Sequence, residues 1–366
     1  MEYQRRAQKV IPFQGKHNFL SNFFPTRVSC LGKTFHSSEQ LYQYFKAFLF
    51  EDDKSASQLA KEKDAAACKR ISRSIKSSEF KWNWVKVEVM AGVLFRKFCQ
   101  SDALQQQLIC TGSDILAKAT LDRFWAARLH RSEIERQRRP IFIGQNQLGR
   151  LLMQLREDLN RKSRREKVLV VMDSQGRHLP QHPMIKKIVL PGATIQMLFK
   201  LARIACTEDF QACFVIGGTN NLPKHRDTRE PGGGLKAKKP RAIIRQFQSG
   251  LTRLSVENPE VKIFVSEILP RFNDPHIMNN KRRRQSRIQR SLFGVNKELN
   301  RFVQSNADQL KNVFVFPIFK KFNHPKYFRK SWSPYSEFDL HLNSQGSRFL
   351  LECILMSMND CINNIE

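Results

Sequence analysis

The chain has 366 residues, enough for two domains with cores of their own, and its apolar and charged fractions, 41% and 26%, exclude a disordered tail or a fibre. The balance of charge is unusual: 63 Lys and Arg against 33 Asp and Glu leave a formal +30, which favours polyanions, nucleic acid or a phosphorylated small molecule, and says nothing about fold. Eight scattered cysteines form neither a CxxC pair nor a Cys/His ligand spacing, and no stretch is apolar enough for a signal peptide or a bilayer span. The expectation is a protein with no metal, no cofactor and no membrane partner, its thiols reduced in an intracellular compartment, cytoplasmic or nuclear.

After a polar leader comes Asn18–Pro25, then a strand-like piece at Val28–Leu31 and a turn at Gly32-Lys33-Thr34. Ser37-Ser38-Glu39 reads as a helix start, with hydroxyls at the cap and a carboxylate in the first turn. The helix that follows places Leu41, Phe45, Phe48 and Leu49 on one face. Further helices are predicted from Ser55 to about Lys69, from about Val85 to Gln107, and over Gln147–Leu159. On the residues alone, Glu39 is welcome at a helix N-terminus without any chemistry, and Trp82 and Trp125 read as core residues ahead of ligand-stacking ones.

Five blocks in this half, FLSNFFP, GKTFHSSEQLYQYFKAF, WNWVKVEVMAGVLFRKF, TGSDILAKATLDRFW and GQNQLGRLLMQLREDL, resemble in order the blocks of the NADAR superfamily. The resemblance implies an α-rich α+β domain that cleaves N-glycosidic bonds, with a phosphoribosyl or ADP-ribose-like ligand as partner. Breaking such a bond passes through an oxocarbenium-like state, which a carboxylate stabilises while it activates water. On the resemblance Glu39 is that carboxylate, and Lys46, two turns on along the same face, holds a phosphate or tunes it. Asn22, Trp82, Asp122, Trp125, Gly144 and Asn146 match the family's pocket positions. Two departures stand out. Trp125 is followed by Ala126-Ala127 where the family has a Gly-x-Gly turn, and Lys118 stands where an acid is usual.

Arg156–Lys167 is polar and mainly basic, the natural domain boundary, which gives domains 1–163 and 164–366. Beyond it, Val168–Met172 is an unbroken β-branch-rich run, as in a strand covered on both faces, and stops at Asp173-Ser174-Gln175-Gly176. That turn suits a helix cap as well as a ligand site. Strands are expected at Ile188–Leu190, Ala212–Ile216, Val261–Val265 and Val313–Phe316, separated by helices at Ile195–Cys206, Ala242–Leu254 and Arg287–Ala307. Five such strands predict a three-layer α/β/α domain with a parallel sheet of about five strands, so the chain as a whole is α/β.

Three strands end in a serine turn, a glycine turn and a Gly-x-Asn turn, all on one edge of the sheet, and Asp339-Leu340-His341 precedes a last helix. A nucleophile needs a base and donors for an oxyanion. Four blocks in this order resemble the SGNH hydrolase family, whose fold is flavodoxin-like. The resemblance implies an acyl ester substrate, Ser174 as nucleophile, Gly192 and Asn220 in the oxyanion hole, and His341 as base with Asp339 as its acid. Met172 replaces the glycine of the family's first block, and Asp339 is two residues before His341 instead of three. The runs Lys224–Arg241 and Asn279–Arg290 read as basic loops, and Lys281, Arg282, Arg283 and Arg284 suit nuclear import or phosphate contact. The whole chain therefore reads as a bifunctional hydrolase. The alternative is a basic, nucleic-acid-associated protein, of mobile-element origin, that uses two degenerate folds as binding modules.

Overall fold

The computed structural model describes residues 8–137, 141–160, 167–207, 210–221, 240–270, 281–322, 325–330 and 338–363. It divides into two compact units, Met1–Arg164 and Arg165–Glu366.

The first unit is built on α1 (Ser38–Leu49), ten of whose twelve residues are buried. Before it come β1 (Val10–Phe13) and a hairpin of β2 (Val28–Cys30) and β3 (Lys33–Phe35), whose two-residue turn holds Leu31 and Gly32 at positive φ. Ser37 caps α1 by accepting from the Gln40 amide. Then follow α2 (Asp53–Lys61), α3 (Ala65–Ile71), α4 (Glu79–Cys99), α5 (Asp102–Cys110), β4 (Ile115–Lys118), α6 (Arg131–Arg136) and α7 (Gln147–Asn160). Helices α2, α3 and α4 all pack on α1. Strands β1 and β4 pair in parallel, Val10 opposite Ile115 and Phe13 opposite Lys118, an arrangement that no local pattern announces.

Two long predicted helices are each divided in the structure. The span 55–69 breaks before Asp64, whose carboxylate accepts from the Ala67 amide and so begins α3. The span 85–107 breaks at Gln100, and Ser101 caps α5 through the Leu104 amide. A side chain that caps offers the backbone a stop and a restart, and apolar periodicity passes over it.

The second unit runs β5 (Lys167–Met172), β6 (Ile185–Val189), α8 (Ile195–Ala205), β7 (Phe210–Ile216), α9 (Pro240–Glu257), β8 (Lys262–Ser266), α10 (Lys281–Ser305), β9 (Val313–Phe316), β10 (Phe328–Lys330), β11 (Phe338–Leu342) and α11 (Ser344–Asn363). Five strands form one parallel sheet in the order β6-β5-β7-β8-β9, the doubly wound arrangement in which the chain reverses direction between β5 and β7. Val168, Val170, Met172, Phe214, Ile216 and Phe264 make a core with Leu350, Cys353 and Ile354 of α11. The alternate residues Leu169, Val171, Cys213, Val215, Ile263 and Val265 are fully buried as well, where α8 and α9 pack on the strands. Burial on both faces is why the β5 sequence shows no alternation.

The segment Phe338–Leu342, which precedes the last helix, is a strand antiparallel to β10. One expectation changes here. The basic run from Lys281 is not a loop but the first turns of α10. The side chains of Lys281, Arg282, Arg283, Arg284 and Asp339 lie outside the described residues, as do residues 222–239, on which most of the expected loop Lys224–Arg241 falls, whereas Arg241 itself is in α9. Among the described residues no helix is long and apolar enough to cross a membrane.

Candidate functional site

In the first unit a cleft of about 840 Å³ opens beside α1. Glu39, in the first turn of α1, projects into it from a position 6% exposed. Gln43, one turn on, donates its amide N–H to Glu39 Oε1 at 2.8 Å. The cap of the helix is made by Ser37, so the Glu39 carboxylate is not spent on the helix end. The Glu39 backbone N–H donates to the carbonyl of Asn22 at 3.0 Å, which brings the loop 18–25 onto the same wall.

That loop is held from beneath by Lys97, a fully buried cation on α4 that donates to the carbonyls of Phe19 and Ser21 at 2.6 and 2.8 Å. Its ammonium also lies 5.6 and 5.0 Å from the ring centres of Phe24 and Phe98. Burial lowers the Lys97 pKa to about 7. Asn22 is itself buried; its Nδ2 donates to Met90 Sδ at 3.3 Å, and among the described residues its Oδ1 has no donor.

Part of the lining is aromatic. Tyr42 lies 5.3 Å from Trp82 and meets Trp125 edge-on at 5.9 Å, ring centre to ring centre, and all three line the cleft. Burial, with Glu39 and Asp122 nearby, pushes the Tyr42 hydroxyl well above its ordinary pKa. Asp122 also faces the cleft and works on the backbone, its Oδ1 accepting from the amides of Phe124 at 2.8 Å and Trp125 at 2.5 Å. Lys46 lines the cleft with its ammonium 5.8 Å from the Trp82 ring, and burial lowers its pKa against the pull of Glu79.

Two residues matched to the pocket stand elsewhere. Gly144 and Asn146 do not line the cleft. A Cβ on Gly144 would meet the carbonyl oxygen of Ala126 at 2.2 Å, and the Asn146 amide bridges β4 by donating to Leu116 O and accepting from Lys118 N. Conversely, Tyr42, Gln43, Lys69, Arg73 and Lys86 line the cleft although nothing in their spacing singles them out. Their one sequence signal is position: Tyr42 and Gln43 lie within a turn of Glu39 on the helix it begins.

In the second unit the turns after β5, β6 and β7 meet at the carboxyl edge of the sheet, across the point where the strand order reverses. Asp173, fully buried, ties them. Its Oδ1 accepts from Gln175 N, and its Oδ2 accepts from Thr219 Oγ at 3.0 Å and from Asn220 Nδ2 at 3.5 Å. Asn220 Nδ2 also donates to Ala193 O at 2.9 Å, so this amide already serves the loop that carries Gly192 at φ +69. Burial raises the Asp173 pKa, while the Gln175 and Thr219 hydrogen bonds and the nearby His341 oppose the rise. Ser174 begins the short helical turn Ser174–His178, against which β11 packs. Gln175 Oε1 accepts from Leu342 N at 3.1 Å, so the residue after Ser174 holds the residue after His341.

The NADAR domain family model matches residues 8–160. The riboflavin biosynthesis protein VVA0006 of Vibrio vulnificus (strain YJ016) is 32% identical over 145 residues, 39% of this chain and 36% of that protein. The chain thus spans about a third of that relative's length. The N-glycosidase YbiA of Escherichia coli (strain K12) is 32% identical over 142 residues, 38% of this chain and 79% of YbiA. The NMR structure of YbiA aligns with 43% of this chain and 89% of its own at 28% identity, with a TM-score of 0.35.

Proposed function

This chain belongs to the NADAR family, and we propose that its first unit hydrolyses the N-glycosidic bond of a phosphoribosyl or ADP-ribosyl compound with Glu39 as the catalytic carboxylate. The observation that carries this reading is the placement of Glu39. It is buried, oriented by Gln43, unused by the helix cap, and set in a cleft walled by Tyr42, Trp82 and Trp125. The aromatic wall stacks the base. Lys46, Lys69, Arg73 and Lys86 give the cleft the charge that a phosphate or diphosphate requires. As the C–N bond lengthens, positive charge grows on the sugar, and the buried Glu39 carboxylate stabilises it and takes a proton from the attacking water. Asn22 Oδ1 offers an acceptor to a ribose hydroxyl at the same wall.

The test is release of free base from an aminopyrimidine ribotide and from ADP-ribosylated guanine, wild type against Glu39→Gln. The reading expects a loss of about 10²–10⁴-fold in kcat. Equal rates for the two proteins would sink it.

A second activity, ester hydrolysis by Ser174, is proposed for the second unit on one observation: the tie through Asp173 and Gln175 that gathers the Ser174 turn, the Gly192 loop, Asn220 and the His341 strand at one edge. Hydrolysis of an aryl ester that is lost in both Ser174→Ala and His341→Gln supports it, and activity that survives Ser174→Ala rejects it.

A further inference from the structure

An N-glycosidase needs two proton movements, one away from water and one toward the departing nitrogen. The Glu39 carboxylate accounts for the first. A neutral base leaves poorly as an anion, so a donor must meet its nitrogen on the far side of the scissile bond.

Several titratable side chains line the cleft, and they differ in what already engages them. Asp122 serves as an acceptor for two backbone amides. Tyr42 holds its proton more tightly than an ordinary tyrosine. Lys86 donates to Asn83 Oδ1 at 2.8 Å and sits 3.8 Å from the centre of the Phe124 ring. The ammonium groups of Lys46 and Lys69 stand over the rings of Trp82 and Phe23, at 5.8 and 5.9 Å, positions that suit contact with a phosphate.

Lys118 differs. It ends β4, where its backbone is fixed by Asn146 Oδ1, by the Ala127 amide and by the pairing with Phe13. Its half-buried side chain lines the cleft, and among the described residues the amine has no hydrogen-bond acceptor and no ring. Burial lowers its pKa, and so does Lys69, while Glu39 and Asp122 draw it back up. An ammonium so placed gives up a proton more readily than one in water.

We infer that Lys118 is the general acid of this site, protonating the leaving nitrogen while Glu39 deprotonates water; the assignment rests on the N-glycosidase reading above. The C1′–N bond breaks with its electron pair remaining on nitrogen, which takes the proton of the Lys118 ammonium. Water oxygen bonds to C1′, its proton passes to Glu39, and exchange with solvent resets both groups. Lys118 thereby biases the site toward substrates whose base is neutral and must be protonated to leave.

The experiment compares the full chain with Lys118→Met and Lys118→Arg on two probes, an aminopyrimidine ribotide and nicotinamide mononucleotide. The second carries a pyridinium base that departs neutral without a proton. Arginine keeps the charge but holds its protons too tightly to donate. The expected result is a shift of about 100-fold in the ratio of the two rates, in both variants and against the aminopyrimidine substrate. The fall of the wild-type rate at high pH should also disappear in Lys118→Met. Glu39→Gln should slow both probes together. Lys118→Arg retaining the aminopyrimidine rate, or an equal loss on both probes, overturns the assignment and leaves the N-glycosidase reading standing. Wild type cleaving neither probe overturns both.

Discussion

The backbone N–H of Glu39 donates to the carbonyl of Asn22 at 3.0 Å, so the loop 18–25 and the start of α1 form one wall although the β2–β3 hairpin separates them in sequence. On this wall the Asn22 and Glu39 side chains are therefore set by backbone, and either can be changed without dismantling the other.

Asn22→Ala should separate binding from stability. The Asn22 side chain makes one weak hydrogen bond, to Met90 sulfur, and its oxygen has no donor among the described residues. The loss in unfolding free energy should stay below about 1 kcal/mol, whereas affinity for a ribosyl ligand should fall roughly tenfold. Calorimetric titration with ADP-ribose beside urea melts measures both; a large stability loss with intact affinity would place Asn22 in the scaffold.

Lys97 should give the first unit a stability that rises with pH. Its folded pKa is about 7 because burial disfavours the ammonium, against an ordinary value of 10.5. Below about pH 7 the amine is protonated in both states and the burial penalty is present in full. Above that, the unfolded chain holds a proton that the folded chain has shed, so stability climbs toward a limiting slope of about 1.4 kcal/mol per pH unit. The difference between wild type and Lys97→Met in urea melts across pH 6–9 isolates this group. Lys97→Met should also weaken ligand binding, because the carbonyls of Phe19 and Ser21 lose their donor and free the loop that carries Asn22.

Gly144→Ala should act through the fold. Its Cβ would lie 2.2 Å from the Ala126 carbonyl oxygen, and backbone cannot swing aside as a side-chain tip can. A loss of about 1–3 kcal/mol is expected. Thermal melts should show it, and the KM of whatever protein remains folded should be near wild type; a KM effect without destabilisation would return Gly144 to the pocket.

Gln175→Leu should loosen the second site without touching its chemistry. The change leaves the buried Leu342 amide unpaired, at a cost of about 1–3 kcal/mol, and releases β11 from the Ser174 turn. Labelling of Ser174 by an organophosphonate should slow at least tenfold relative to wild type and vanish in Ser174→Ala. Labelling at the wild-type rate in Gln175→Leu would show that this tie does not position His341.

What the sequence settled by itself is local. The Ser37 cap sets where α1 begins and hence where Glu39 stands, and the apolar runs of β5, β7 and β8 are readable as buried strands, whereas β6 starts at Ile185, three residues before the predicted Ile188–Leu190. The order of the NADAR blocks is likewise a property of the linear chain. The tertiary structure decided which distant groups meet. Only packing puts β1 beside β4, Lys97 under Phe19 and Ser21, and Lys118 in the Glu39 cleft. Packing also gives Asn146 to the β4 backbone, and the Asn220 amide partly to Ala193. Such pairings hang on long-range burial and on satisfying buried donors and acceptors, and neither quantity is written in the spacing of nearby residues.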